Sequence, residues 1–183
     1  DRVIWRKMGE MGYLGLIFPE EYGGLNLDFY YSLIFCEELS QCFSGGFTIS
    51  ALVIQYMSAP YLWKHGSEAL KQKYLREVIA GNLISAIAIT EPGAGSDVQH
   101  IATTATDQGD YYLVQGSKTF ITNGIQADFF ITAVKTDPKA GSHGISLLLI
   151  DGDSLGLSRR KIEKMGWYAS DTAEIAFDQV RVP

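Results

Sequence analysis

Apolar residues in the first half of the chain recur at the three- and four-residue spacing of helices. Asp28 is a helix-capping residue type, and it precedes an apolar helical run that contains Leu33, Ile34, Cys36 and Leu39. This pattern predicts a helix that begins after Asp28 and ends before Ser44.

Two more helices are predicted before residue 83. Residues Thr48 to Lys64 form an apolar helical run, in which Pro60 should cause a kink or a restart because proline lacks a backbone N–H. Ser67 can cap a third helix, which should end at Gly81, since glycine commonly follows a helix C-terminus. The first half is therefore predicted to be all-helical.

After Leu83 the spacing changes to the two-residue alternation of strands. Short runs rich in β-branched and aromatic residues alternate with turns that contain Gly and Asp. Residues 115–117 are predicted to be the turn of a hairpin. The predicted strands are Ile84–Ile89, Tyr111–Val114, Lys118–Thr122, Phe129–Val134, Ile145–Ile150 and Glu174–Phe177. The pattern predicts an α+β chain with a helical domain at 1–83 and a β domain at 84–183.

Composition narrows the class of protein. The 183 residues are 46% hydrophobic and 20% charged, with a net charge of −6. These values are typical of a globular protein and argue against nucleic acid as a partner, since phosphate binding needs a basic surface. No apolar run reaches the roughly 18 residues of a membrane span. Cys36 and Cys42 lack metal-site or CxxC spacing, so we expect buried thiols in a reducing compartment and no metal site.

The segment Thr90–Asp97, with the sequence TEPGAGSD, carries the strongest functional signal. It ends an apolar strand with one proline and two glycines, which leaves backbone N–H groups free and lets a ligand approach the main chain. The Thr90 and Ser96 hydroxyls can hydrogen-bond a phosphate or the polar edge of a ring. Taken alone, an ordinary glycine turn is the alternative.

Two nucleotide-binding motifs are excluded for this turn. The Rossmann fingerprint needs Gly or Ala where Val98 stands, and residues 101–106 are rich in β-branched residues, so no helix N-terminus is offered to a pyrophosphate. A P-loop needs a lysine in the turn, and the turn has none.

Three segments taken together resemble the acyl-CoA dehydrogenase family. Residues 90–97 are similar to its TEPGAGSD signature, and residues 116–124 (GSKTFITNG) are similar to its GxKxWITNG segment. Residues 164–183 contain KMG, SDTAE and VRVP in the order of its KMGxxxSDTxE…VxVP ending. The resemblance extends from about Met8 to Pro183 and includes the FPEEYGG turn at residues 18–24.

The resemblance implies a fold and a reaction. The fold is a helical N-terminal domain followed by a small antiparallel β-barrel middle domain. The family uses FAD to oxidise the Cα–Cβ bond of an acyl-CoA thioester to a trans-2-enoyl-CoA, as in fatty acid β-oxidation. A Glu removes the α-proton, and hydride passes to flavin N5. In the family that Glu lies in a further C-terminal four-helix domain, which is expected to be absent here, so we expect no catalytic residue and no turnover from this chain alone.

The resemblance also implies binding residues. Phe120 stands where the family usually has Trp, which keeps a ring but loses the indole N–H. Glu91 is expected to be structural, and Asp97 is expected to turn away from a diphosphate and bind backbone amides. The expected FAD-binding residues are Ile87, Ala88, Ile89, Thr90, Gly95, Ser96, Phe120, Ile121 and Thr122. The expected acyl-CoA contacts are Ser96 and, for the acyl tail, Ile49, Leu52, Val53 and Tyr56, although core packing explains the last four equally.

The resemblance implies partners as well. The family's usual electron acceptor is an electron-transfer flavoprotein, and a homo-oligomer, dimer or tetramer, is expected for the full-length protein. The expected compartment is a bacterial cytoplasm or the mitochondrial matrix, with the bacterial one favoured. Two alternatives remain: a relative that reacts with oxygen or hydroxylates, and a non-catalytic flavin- or acyl-CoA-binding subunit of a heteromeric dehydrogenase.

Overall fold

The computed structural model describes residues 2–183, which divide into two compact units by their internal contacts. Unit 1 contains the residues up to Ser85 together with Lys164–Ser170. Unit 2 contains Ala86–Glu163 and Asp171–Pro183. Residues 164–170 therefore belong with the helices, although the chain on both sides of them belongs with the strands.

Unit 1 is helical, and two of its helices begin at the predicted caps. The Asp28 side chain accepts the backbone N–H of Tyr30 at 2.9 Å, and the Ser67 hydroxyl accepts that of Leu70 at 3.3 Å. The helices are α1 Val3–Glu10, α2 Phe29–Ser40, α3 Gly45–Leu52, α4 Ala59–His65, α5 Glu68–Leu70 and α6 Arg76–Ile79, with a 3₁₀ turn at Glu20–Tyr22.

The irregularity expected around Pro60 is a π-helical turn that lies just before the proline. The π-helical residues Val53–Ser58 connect α3 to α4 without a break, so helical structure continues from Gly45 to His65. The wider turn takes up the distortion that a proline without an N–H introduces into an α-helix. A second π-helical turn, Lys71–Leu75, connects α5 to α6.

Aromatic pairs and a close glycine contact pack unit 1. Trp5 stacks on Phe47 with ring centroids 5.6 Å apart, and Phe18 meets Trp63 edge-on at 5.8 Å. Gly81 follows α6 with a φ of +75°, and a Cβ there would lie 2.0 Å from the Trp5 carbonyl oxygen. The helix therefore ends at the predicted residue, where only glycine fits.

Unit 2 is one seven-stranded sheet. The strands are β1 Ser85–Ala88, β2 Thr104–Asp107, β3 Tyr112–Thr122, β4 Phe129–Lys135, β5 Ile145–Asp151, β6 Leu157–Lys161 and β7 Thr172–Val182. Their order is β1-β4-β2-β3-β7-β6, with β5 paired to β4. Ala86, Val114, Phe130, Ile150 and Ile175, from five different strands, share one core, so the sheet curls around it. The predicted fold class is confirmed, although β2 pairs with β4 in parallel.

The predicted hairpin at residues 115–117 is wrong. β3 continues through these residues as a single strand, and its pairing with β7 shifts register there. Gln179 of β7 lies in the shifted stretch with a φ of +54°, and its N–H donates to the Gln115 side-chain oxygen at 3.1 Å. Gly116 is needed for close approach, because a Cβ there would lie 2.6 Å from the Thr103 hydroxyl. A glycine in a strand can mark such an approach or a bulge as well as a turn.

Two further expectations concern cysteines and membrane spans. Cys36 and Cys42 are both free thiols, but only Cys36 is half-buried, and Cys42 is exposed, contrary to the expectation of two buried thiols. Within the described residues, His, Cys, Asp and Glu form no cluster suited to a metal ion. No helix in that part of the chain has the length and apolar character needed to cross a bilayer.

Candidate cofactor site in the sheet unit

The turn Thr90–Asp97 is open on one side. An added Cβ at Gly93 or Gly95 would meet no atom within 4 Å, and Ser96 is exposed. Among residues 2–183, the N–H groups of Gly93, Gly95 and Ser96 donate to no backbone carbonyl. The turn therefore offers donors and space to a ligand, as its sequence predicts.

The other side of the turn is held by the buried Glu91 side chain. One carboxylate oxygen accepts the Ala102 N–H at 2.5 Å, and the other accepts the Thr103 N–H at 3.0 Å. Backbone bonds between Glu91 and Ala94 close the tip of the turn. Glu91 thus has a structural role, as predicted, and it ties the start of the turn to the residues that precede β2.

Lys118 completes this network from β3. Its side chain is fully buried, and its ammonium donates to the Glu91 carboxylate at 2.7 Å and to the Ile89 carbonyl at 3.0 Å. The next residue, Thr119, donates its backbone N–H to the Thr90 carbonyl at 2.8 Å. Three consecutive residues, 89 to 91, are therefore bound to two consecutive residues of β3.

Burial and hydrogen bonding shift the titration of both charged groups. Burial would raise the pKa of Glu91, but the bonds from Ala102, Lys118 and Thr103 outweigh it and lower the pKa of this carboxyl. Burial lowers the pKa of Lys118, and the hydrogen bond and charge of Glu91 oppose that shift only in part. Both shifts follow from a charge pair held away from water.

A β-bulge turns Phe120 outward. Lys118 pairs with Ile175 and Ile121 pairs with Ala173, so Thr119 and Phe120 together oppose a single residue of β7. Phe120 has a φ of +58°, which is uncommon for a residue other than glycine. Its side chain is 66% exposed. The ring is therefore outside the core of the sheet, next to the residue that anchors the Thr90 carbonyl.

The loop that follows β3 is held by Asp171. The Asp171 carboxylate accepts the backbone N–H groups of Ile125 at 2.5 Å and Gln126 at 3.0 Å, and its backbone carbonyl accepts that of Asn123 at 3.0 Å. Asn123 has a φ of +65°, and a Cβ on Gly124 would lie 2.6 Å from the Ala173 Cβ. These contacts join the TNG segment to the SDT segment, and they fix the chain just after Thr122.

Arg159 of β6 supports the far end of the same loop. Its guanidinium donates to the carbonyls of Ile125 at 2.7 Å and Ala127 at 2.9 Å, and also to that of Gly152. The guanidinium also lies 5.1 Å from the centre of the Phe130 ring. One side chain thus binds three carbonyls of residues that lie outside the strands.

The expected cofactor-binding residues differ in what they can present to a ligand. Ala88 and Ile121 are core residues, so any ligand contact there is limited to their backbone. Ile87, Ile89, Thr90 and Thr122 are half-buried, whereas Gly95, Ser96 and Phe120 are exposed. Thr90, Gly95, Ser96, Phe120 and Thr122 lie on or next to the two segments that Lys118 and Thr119 join.

The expectation for Asp97 is wrong in its partner. The Asp97 carboxylate binds the His100 ring at 2.5 Å rather than a backbone amide. Residues 98–100 form a 3₁₀ turn, in which side chains three residues apart lie on the same side. The pair is exposed, so it contributes little to stability.

The residues expected to contact the acyl tail lie in unit 1. Val53 is buried, and Ile49, Leu52 and Tyr56 are half-buried, on α3 and the π-helical turn after it. The Tyr56 hydroxyl has no hydrogen bond of acceptable geometry within the described residues. Burial raises the pKa of this phenol, and Cys36 beside it adds to that effect.

Sequence reasoning missed three functional supports: Lys118, Arg159 and Asp171. Lys118 could have been found as a charged residue in a strand between residues that alternate into the core, opposite a lone Glu in a turn. Asp171 lies within the recognised ending, but its partners, residues 123–126, are 45 or more positions away. Nothing in the local sequence marks Arg159.

Comparison with known proteins identifies the family. Residues 1–82 match the family model described as "Acyl-CoA dehydrogenase, N-terminal domain". Residues 86–180 match the one described as "Acyl-CoA dehydrogenase, middle domain". The chain is 40% identical over 188 residues to the long-chain specific acyl-CoA dehydrogenase, mitochondrial, of Sus scrofa, covering 100% of this chain and 43% of that relative. The helical region, the curled sheet and these relatives all point to one class of protein. The chain belongs to the acyl-CoA dehydrogenase family.

Solved structures agree with this assignment. The crystal structure of acyl-CoA dehydrogenase from Geobacillus kaustophilus has a TM-score of 0.95 and 48% identity, covering 100% of this chain and 48% of that one. A structure described as the electron transferring flavoprotein of Acidaminococcus fermentans also gives a TM-score of 0.95, with 40% identity over 100% of this chain and 48% of that one. The chain spans less than half the length of the relatives it matches.

Proposed function

We propose that the whole protein is an FAD-dependent acyl-CoA dehydrogenase that oxidises the Cα–Cβ bond of an acyl-CoA thioester to a trans-2-enoyl-CoA. The observation that carries the proposal is the turn Thr90–Asp97, in which the N–H groups of Gly93, Gly95 and Ser96 donate to no backbone carbonyl of residues 2–183 and space is open above both glycines. The turn lies within a sequence that matches the family's middle domain. Because the chain spans less than half the length of its relatives, we assign no catalytic base within it.

The residues present fit FAD. The Thr90, Ser96 and Thr122 hydroxyls and the N–H groups of the open turn would donate hydrogen bonds to it, and the outward ring of Phe120 would pack on its flat surface. Ile87, Ile89 and the backbone of Ala88, Gly95 and Ile121 complete the expected set. FAD, when bound, accepts the hydride that leaves the substrate.

This chain's own contribution is to orient and to stabilise charge. Hydrogen-bond donors that are already in place need no rearrangement when negative charge develops next to them, so they lower the barrier more effectively than water does. The bonds of Glu91, Lys118 and Asp171 hold the donor-bearing segments in place.

The proposed substrate contacts come from residues of both units. Ser96 is proposed to bind the thioester arm of the acyl-CoA, and Ile49, Leu52, Val53 and Tyr56 are proposed to contact the acyl tail. The proposed division of labour follows the domains 1–83 and 84–183, of which the first supplies tail contacts and the second holds the cofactor.

Partners and compartment extend the same proposal. We propose an electron-transfer flavoprotein as electron acceptor and a homo-oligomer as the working form. Relatives include proteins named mitochondrial and a short-chain enzyme of Clostridium acetobutylicum, so a mitochondrial matrix and a bacterial cytoplasm both fit. The preference for the bacterial cytoplasm stays a prediction.

The test compares wild type with two binding variants in the whole protein. Ser96→Ala should weaken FAD retention or acyl-CoA affinity, because each lost hydrogen bond contributes roughly 0.5–1.5 kcal/mol. Phe120→Ala should shift the absorbance spectrum of bound flavin. Wild-type FAD content, wild-type acyl-CoA affinity and an unchanged spectrum in these variants would contradict the assignment.

Matched controls are available within the chain. Ser158→Ala removes an exposed serine hydroxyl of β6. Phe43→Ala removes a fully exposed phenylalanine that, like Phe120, has a positive φ, here +55°. Both controls should leave flavin content and spectrum unchanged.

Rapid oxidation of the reduced protein by oxygen would instead assign an oxidase-like reaction.

A further inference from the structure

We propose that the buried Glu91–Lys118 ion pair is a positioning pair that locks the turn Thr90–Asp97 to the bulge at Thr119–Phe120, so that the two cofactor-facing segments behave as one rigid element. The inference rests on the proposed function, because it deepens the role of the same site. Neither side chain is placed against the cofactor, since both are directed into the protein and are bonded there.

The first step is the way consecutive residues are bound. Ile89, Thr90 and Glu91 each accept a hydrogen bond from β3: the first and third from the Lys118 ammonium, the second from the Thr119 N–H. Thr90 therefore has bonded neighbours on both sides in addition to its own bond. The Thr90 backbone therefore cannot move relative to Thr119 without breaking this set.

The second step concerns the two ends of the turn. The Glu91 carboxylate binds Lys118 and also the N–H groups of Ala102 and Thr103. One carboxylate thus connects the start of the turn, the residues that follow it and β3. Ser96 lies between the two anchored ends, so its position depends on the same group.

The third step concerns Phe120. It directly follows Thr119 and has a positive φ within the bulge. A backbone in this region persists only where its surroundings hold it. The bonds of Lys118 and Thr119 supply that restraint on one side, and they thereby set the direction of the exposed ring.

Stability alone does not account for this pair. A buried ion pair replaced by well-packed apolar residues usually leaves a protein as stable or makes it more stable. An ammonium that binds a carbonyl and a carboxylate in fixed directions restricts geometry in a way that an apolar contact does not. A control for the loss of one cation and one anion is available at Arg76 and Glu77, two exposed positions of α6 in the helical unit.

The test uses the double variant Glu91→Gln/Lys118→Met in the whole protein. It removes both charges and keeps side-chain volumes similar, so the fold should be retained. Three measurements are made on it, on wild type and on the control Arg76→Met/Glu77→Gln: amide hydrogen exchange, FAD affinity and the absorbance spectrum of bound flavin.

The expected result separates positioning from general stability. In the double variant, amides of Thr119, Ala102 and Thr103 should exchange about tenfold faster or more, while those of β4 keep their wild-type rates. FAD affinity should fall about tenfold, equivalent to about 1.4 kcal/mol, with a shifted flavin spectrum. The control should match wild type in all three measurements.

Other outcomes would overturn the inference. Wild-type amide exchange with wild-type FAD affinity in the double variant would mean that the pair positions nothing. Failure of the double variant to fold would assign the pair to folding of the sheet instead. A wild-type protein that retains no FAD would overturn the proposed function. Amide exchange alone would then show whether the ion pair holds the turn to the bulge.

Discussion

Buried polar side chains are bonded differently in the two units. In the sheet unit, the buried Glu91 and Lys118 and the half-buried Asp171 each have at least two hydrogen-bond partners. In the helical unit, the buried Ser50 and Ser58 hydroxyls donate to carbonyls of their own helical stretch, Gly46 at 2.9 Å and Val53 at 3.0 Å. The Gln55 amide is buried without a partner among the described residues, and the Thr132 hydroxyl of β4 is the matching case in the sheet unit.

The difference follows from how each unit satisfies its backbone. A helix bonds its own N–H and C=O groups, so a hydroxyl that binds a carbonyl one turn earlier adds a local contact rather than a link to a distant segment. The segments that connect strands leave such groups unpaired, and charged side chains take them up at residues 102, 103, 125 and 126. The comparison teaches that charged side chains hold distant segments of the candidate cofactor site together, whereas buried hydroxyls of the helical unit bind mainly within their own helix.

The largest effect on stability is expected when the hydrogen-bond network of Glu91 is broken at Lys118. Lys118→Met leaves the Glu91 charge buried without its cation, and the free energy of unfolding should fall by about 3–5 kcal/mol. Urea denaturation measures it. The control Lys161→Met removes an exposed lysine and should change stability by less than about 0.5 kcal/mol. Equal losses of unfolding free energy in the two variants would mean that the buried lysine stabilises the protein no more than an exposed one.

Acid should remove part of the same contribution. The pKa of Glu91 is lowered in the folded protein from its ordinary value of 4.5, so its stabilising contribution is complete above pH 4.5 and is lost as the pH falls through the lowered pKa. Wild type should therefore lose stability more steeply below pH 4.5 than Glu91→Gln/Lys118→Met does. Parallel curves from denaturation at a series of pH values would contradict this.

An intermediate effect is expected at Asp171. Asp171→Ala leaves the N–H groups of Ile125 and Gln126 without their acceptor and should cost about 1–3 kcal/mol of unfolding free energy. Asp171→Asn keeps one acceptor oxygen and should cost less. Thermal denaturation with amide exchange at residues 125 and 126 measures both, and equal effects of the two substitutions would show that the carboxylate is not the relevant acceptor.

The smallest effect should have the opposite sign and lie in the helical unit. Gln55→Leu removes a fully buried amide whose atoms have no partner among the described residues, and it should stabilise the protein by about 1 kcal/mol. Gln41→Leu, at an exposed position after α2, is the control and should be near neutral. If Gln55→Leu destabilises the protein, the amide has a partner after all, and the contrast between the units weakens.

Local features of the sequence were sufficient for the elements whose causes are local. Asp28 and Ser67 cap helices within three residues of themselves, so their neighbours alone predict the helix starts. The open turn at residues 90–97 was predictable because proline and glycine act on their own backbone. The family was recognisable because three short segments each match a signature within a few consecutive residues.

Only the tertiary structure decided how the candidate site is held. Lys118 reaches Glu91 across 27 positions, and Asp171 reaches Ile125 across 46. The predicted turn at 115–117 became a strand because a bulge in β7 absorbs the irregularity, and β6, which is largely polar, forms because β7 pairs with it. Strand pairing, register and burial depend on residues that are distant in sequence. The residue pattern within one β-strand does not say which strand will pair with it.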